Sequence, residues 1–124
     1  MKTIIISSRK GGAGKTTLSL NLSALASQQG KKKVALLDLD PQGSSRFWDS
    51  DAGRKVTWVI NGASVFSSTP EIVFEQLKAT AKICRTIVHE RNDFVISVGL
   101  GKSVNEFAPN SKSAAEIDSL WREI

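Results

Sequence analysis

Apolar residues fall along this chain in two rhythms. Thr3-Ile4-Ile5-Ile6 and Val34-Ala35-Leu36-Leu37 are unbroken apolar runs too short for helices, and they predict buried strands over 2–8 and 34–39. Between them Leu18, Leu22 and Leu25 recur at i, i+4 and i+7, with Ala24 and Ala26 filling beside them. That spacing predicts an amphipathic helix over 15–29, closed by Gly30 just past its end. Strand, helix and strand in this order predict a parallel pair joined by a right-handed crossover.

The middle of the chain is less regular. Residues 44–53 are polar around Phe47 and Trp48. Val56-Thr57-Trp58-Val59-Ile60 is β-branched and aromatic and stops at Asn61-Gly62, which predicts a short strand ending in a turn. Trp48 and Trp58 read as core or loop packing, since no basic stripe surrounds them. Thr69-Pro70-Glu71 then opens a predicted helix, with Thr69 as N-cap, Pro70 in its first turn and Glu71 facing the positive end of the dipole. Val73, Leu77, Ala81, Cys84 and Val88 continue that helix to about His89, which reads as a surface residue at its C-terminal end. Another apolar run, Phe94 to Val98, predicts a strand. Over residues 111–124, Ile117, Leu120, Trp121 and Ile124 share one helical face. Glu116, Asp118 and Glu123 make the opposite face acidic, so this helix is expected to face the core rather than an anionic lipid surface.

Composition narrows the class. At 124 residues, 40% hydrophobic and 23% charged, the chain is one globular domain at most. A single cysteine excludes a disulfide framework and a Cys-rich metal site. No run approaches a membrane span and no signal-peptide core precedes the first strand, so the expected location is cytoplasmic, without membrane attachment. The net charge of +5, concentrated in Lys31-Lys32-Lys33 and Arg54-Lys55, suits a weak salt-sensitive association with DNA, or simply a solvated surface.

The chemistry lies between the first strand and the first helix. Gly11-Gly12-Ala13-Gly14-Lys15-Thr16-Thr17 is a glycine-rich loop in the strand-to-helix setting of a phosphate-binding loop. Glycines let successive backbone N–H groups converge on an anion at a helix N-terminus. Lys15 would reach the β- and γ-phosphates, and the Thr16 hydroxyl would ligate Mg²⁺. The competing reading is a glycine turn with an ordinary exposed lysine.

Lys10 ahead of the glycine pair makes this loop resemble the deviant Walker A motif of the ParA/MinD family of ATPases, K-G-G-x-G-K-[ST]. Asp38-Leu39-Asp40-Pro41-Gln42-Gly43, ending the second apolar run, is similar to that family's D-x-D-P-Q-G block. The resemblance is close over 2–48 and weaker over 71–107. It implies an α/β, P-loop NTPase-like fold with a mostly parallel sheet and helices on both faces, in one partial domain over 1–124. The family's domain is usually near twice this length, so its later strands and helices are expected to be missing.

By the same resemblance, Lys10, Lys15 and Asp40 would be catalytic, Lys10 crossing to a partner's phosphates and Asp40 orienting the hydrolytic water. Gly11, Gly12, Ala13, Gly14, Lys15, Thr16 and Thr17 would hold ATP, with Mg²⁺ on Thr16 and, through water, on Asp38. The implied partners are a second copy on ATP binding, non-specific DNA and a centromere-binding adaptor protein.

One family feature does not carry over. Asp93, Val95, Ile96, Gly101, Glu106 and Phe107 match a ParA-like pattern that contains the Walker B strand, but its aspartate falls on Val98, or on Ser97 with a one-residue gap. Neither bears a charge, which predicts weaker metal organisation and slower hydrolysis. The alternative to an active ATPase is therefore a truncated, non-catalytic relative that binds nucleotide weakly or acts as an interaction module. The nitrogenase iron protein branch needs cluster cysteines that Cys84 alone cannot supply, and dethiobiotin-type synthetases lack the D-x-D-P-Q-G block.

Overall fold

A computed structural model describes residues 2–8, 11–30, 33–36 and 57–124. Their elements are α1 (Lys15–Gly30), β1 (Trp58–Ala63), α2 (Thr69–Leu77), β2 (Ile83–His89), α3 (Asn92–Gly99), α4 (Val104–Phe107) and α5 (Lys112–Glu123). β1 and β2 pair in parallel, so the α/β class stands.

The core forms around α5. Ile117, Leu120 and Ala114 are buried with Leu18, Leu22 and Leu25 of α1, Cys84 and Val88 of β2, Phe94 of α3 and Val104 of α4. Ile6, Val59, Trp121 and Ile124 close its margin. α1 and the core-facing α5 therefore match the helical spacing in the sequence. Burial raises the pKa of the Cys84 thiol, leaving it a packing group rather than a nucleophile.

Four expectations need correction. Residues 2–8 and 33–36 form no strand among the described residues, and Ile4, Ile5, Val34 and Leu36 are exposed. The helix expected from 69 to 89 ends at Leu77 and the chain becomes β2. Cys84 and Val88 are four apart, which shares one face of a strand as well as one face of a helix. The β-branched run Thr86-Ile87-Val88 and a partner strand decide for β. His89 accordingly ends a strand.

The third concerns Phe94 to Val98, which lie in a helix, α3. Its stop signal is explicit. The Gly101 amide bonds to Val98 O and the Lys102 amide to Ser97 O, with Gly101 at φ 68°, a Schellman motif. Gly101, which the family pattern sets after the Walker B strand, terminates a helix instead. The fourth concerns Asn61-Gly62, which lie within β1 rather than in a turn, while Trp58 is 56% exposed.

The β1–β2 ladder is irregular. Trp58 opposes Ile83 while Ile60 opposes Ile87, so Val59 faces three residues of β2. This bulge takes the amides of Arg85 and Thr86 off the ladder, and Glu123 of α5 accepts from both, at 2.6 and 2.9 Å, and from the Thr86 hydroxyl. One heptad earlier on the same helix, Glu116 accepts from the His89 amide at 3.1 Å and from Arg91 at 2.7 Å, and pairs with His89 Nδ1 at 2.8 Å. These two carboxylates, read from sequence as a solvent face, therefore serve as backbone caps for a strand.

Burial would push the Glu123 carboxyl up, but the bonds from the Thr86 side chain and the Arg85 and Thr86 amides outweigh it and lower its pKa. A lowered carboxylate pKa contributes stability above the unfolded-state value and loses it as pH falls through the folded value. Glu123→Gln is thus expected to cost about 1 kcal/mol at neutral pH, allowing for solvent screening of a half-exposed group. Urea midpoints of wild type and variant should converge once the pH drops below the usual carboxylate range.

Candidate functional site: the glycine-rich loop

The loop before α1 is built from backbone conformations that few residues adopt. Gly12 and Gly14 have φ of 73° and 75°, in the left-handed region. A Cβ on Gly14 would also overlap the side-chain nitrogen of Asn61, whereas one on Gly11 or Gly12 would meet open space. The Leu18 amide donates to Gly14 O at 3.0 Å, so α1 begins directly from the loop. Its first turn, Lys15-Thr16-Thr17, holds no acidic residue of its own to compete for the positive end of the helix dipole.

Of the expected nucleotide-binding residues, Gly11, Gly12, Ala13, Gly14, Lys15, Thr16 and Thr17 form one continuous turn into α1. Gly11, Gly12, Ala13 and Thr16 are exposed, and Gly14, Lys15 and Thr17 half-buried. Lys15 Nζ lies 3.4 Å from Ser8 Oγ, so the lysine folds back along the preceding segment. Lys10, Asp38 and Asp40 lie outside the described residues.

This donor set fits a phosphate group: left-handed glycines, a helix N-terminus and a lysine, with no carboxylate in the turn. For Mg²⁺, Thr16 offers its hydroxyl. Among the described residues no group of three or more His, Cys, Asp or Glu side chains could hold a metal. Ser97 is fully buried on α3, its hydroxyl 3.3 Å from Phe94 O, and Val98 lies on the same helix, so neither tips a strand beside the loop. Asp93, at the start of α3, accepts from Ser113 of α5 at 2.8 Å.

Two side chains that sequence reasoning did not select support the loop and its helix. Asn61 Nδ2 donates to Ala13 O at 2.8 Å, linking β1 to the loop across 48 positions. Asn21, fully buried, donates to Thr17 O and accepts from the Val104 amide, each at 2.8 Å, fastening α1 to α4. Asn61-Gly62 after an apolar run signalled only a turn; no local pattern distinguishes it from a strand that bends toward a loop.

Comparison with known proteins matches the family model of the CobQ/CobB/MinD/ParA nucleotide binding domain to residues 4–123, so the likeness reaches α5. The chain is similar to the virulence plasmid ParA family protein pGP5-D of Chlamydia psittaci, at 57% identity over 44 residues, 36% of this chain and 17% of that protein. It also resembles the maintenance of carboxysome distribution protein A of Halothiobacillus neapolitanus, at 48% over 46 residues, covering 37% and 20%. The chromosome-partitioning ATPase Soj of Thermus thermophilus is 47% identical over 45 residues, covering 36% and 18%. The chain thus spans about a fifth or less of the length of these relatives. No solved structure matches. Among the described residues, no helix is long and apolar enough to cross a membrane.

Proposed function

The chain belongs to the CobQ/CobB/MinD/ParA nucleotide binding domain family, and from that premise we propose that it binds Mg·ATP through residues 10–17 as a ParA-type partition ATPase. The observation that carries this reading is the loop itself, two left-handed glycines leading straight into α1 with Lys15 at its first position. Residues 1–124 then act as one partial nucleotide-binding domain.

In this reading the backbone of Gly11, Gly12, Ala13 and Gly14, with Thr17, cradles the phosphates, and Lys15 supplies charge where the β- and γ-phosphates lie. Thr16 and, through water, Asp38 hold Mg²⁺, which when bound neutralises phosphate charge. Asp40 orients the attacking water and Lys10 reaches the phosphates of a second copy. The relatives' names support a partition role; to that the reading adds dimerisation on ATP, non-specific DNA and a centromere-binding adaptor as partners. A second reading, a nucleotide-binding relative without hydrolysis, is favoured by α3, a helix with no acid at 97 or 98, where the family pattern has a strand ending in an aspartate.

Calorimetric titration of the purified chain with Mg·ATP tests the reading. Micromolar binding is expected, weakened at least about tenfold in Lys15→Ala by loss of a charge-assisted contact. A folded wild-type chain that takes up no heat-detectable ATP would end both readings. Binding without phosphate release over hours would leave the second.

A further inference from the structure

Asn61 sits where β1 leaves its ladder. Asn61 opposes Val88 and Ala63 opposes His89, so Gly62 has no partner, and its φ of 67° marks a glycine bulge. Bulges turn side chains out of the regular alternation. Here the Asn61 amide reaches Ala13 O, and because a carbonyl only accepts, the NH₂ end must face it.

We propose that Asn61 is a positioning residue of the phosphate loop, setting the plane of the Ala13–Gly14 peptide. The inference rests on the nucleotide-binding reading for its ligand but not for its geometry. In a planar trans peptide the C=O and the following N–H point in opposite directions. Holding Ala13 O toward β1 therefore aims the Gly14 N–H away from β1. Asn61 also fills the space beside the Gly14 Cα so closely that no Cβ fits there. An anion must then approach from the opposite side, the side to which the Gly14 N–H is turned. Gly14, Asn61 and Gly62 form one interdependent set: a bulge that delivers an amide, an amide that turns a peptide, and a glycine that leaves room for it. A nucleobase or ribose contact by Asn61 would act on a different part of the ligand.

The test uses Asn61→Leu, close in size, uncharged and without the donor, in the full chain. Hydrogen exchange of the loop amides, followed without nucleotide, should quicken about fivefold for a lost bond of about 1 kcal/mol, while amides of β2 and α5 keep their rates. Affinities for ATP and for inorganic tripolyphosphate should fall together, by about five- to thirtyfold. Unchanged loop exchange would overturn the proposal. So would weakened ATP binding with tripolyphosphate binding intact, since that pattern marks a base or ribose contact. If the wild-type chain binds neither ligand, the nucleotide reading falls and the exchange result alone decides whether Asn61 sets the loop.

Discussion

Replacing Gly14 by alanine is expected to weaken Mg·ATP binding by about 30- to 150-fold, the largest effect of any single methyl group in the loop. Two separate costs combine. An L-residue at φ 75° is strained by roughly 1–2 kcal/mol. The new Cβ also occupies the position of the Asn61 nitrogen, so that side chain must move and give up its bond to Ala13 O, worth about 1 kcal/mol. The chain can relieve both by abandoning the native loop, and the binding-competent geometry is lost with it.

The neighbouring glycines supply the comparison. Gly12→Ala meets only the backbone strain, since its φ is 73° but its Cβ would lie in open space. Gly11→Ala meets neither cost. Calorimetry on the three variants should therefore rank them Gly14, Gly12, Gly11 in loss of affinity, with Gly11→Ala within about threefold of wild type, below 1 kcal/mol. An equal loss at all three would mean that flexibility, rather than the fixed geometry around Asn61, is what the glycines provide.

The loop and α1 were legible because their information is local. Three glycines and a lysine define the turn, and Leu18, Leu22 and Leu25 fall on one face only if the segment is helical. α5 was legible for the same reason. The stretch from Cys84 to Val98 was not, because its signals are shared by two structures. A spacing of four suits both periods, and an apolar β-branched run becomes strand or helix according to what it packs against. Phe94 and Ser97, three apart, are the buried pair of α3, while Val95, Ile96, Val98 and Leu100 remain exposed. That outward apolar face is what made the run resemble a strand. A reading of Gly101 as a helix stop would have corrected it.

The long-range supports of the loop and of β2 were hidden for another reason. Asn61 acts on Ala13 and Glu123 acts on Arg85 and Thr86, across 48 and 38 or 37 positions. Neither function depends on its sequence neighbours. A carboxylate on the polar side of an amphipathic helix looks the same whether it meets water or an open bulge.

Because the core converges on α5, truncating Ile117 should be the most damaging hydrophobic substitution among the described residues. Ile117 is fully buried, with Leu120 and Ala114 beside it and residues of α1, β2, α3 and α4 in the same cluster. Ile117→Ala removes three carbons from a position where four elements meet and no one of them can move in without leaving the others. A cost of about 3–4 kcal/mol is expected, toward the upper part of the range for buried isoleucine. Domain stabilities are commonly about 5–15 kcal/mol, so much of the folded state's margin disappears. Trp121 lies at the edge of the same cluster and is only partly buried, so Trp121→Ala should cost less despite its larger side chain. Urea denaturation of both variants decides the point. A smaller loss for Ile117 than for Trp121 would mean that α5 rests on the rest of the chain rather than holding it together.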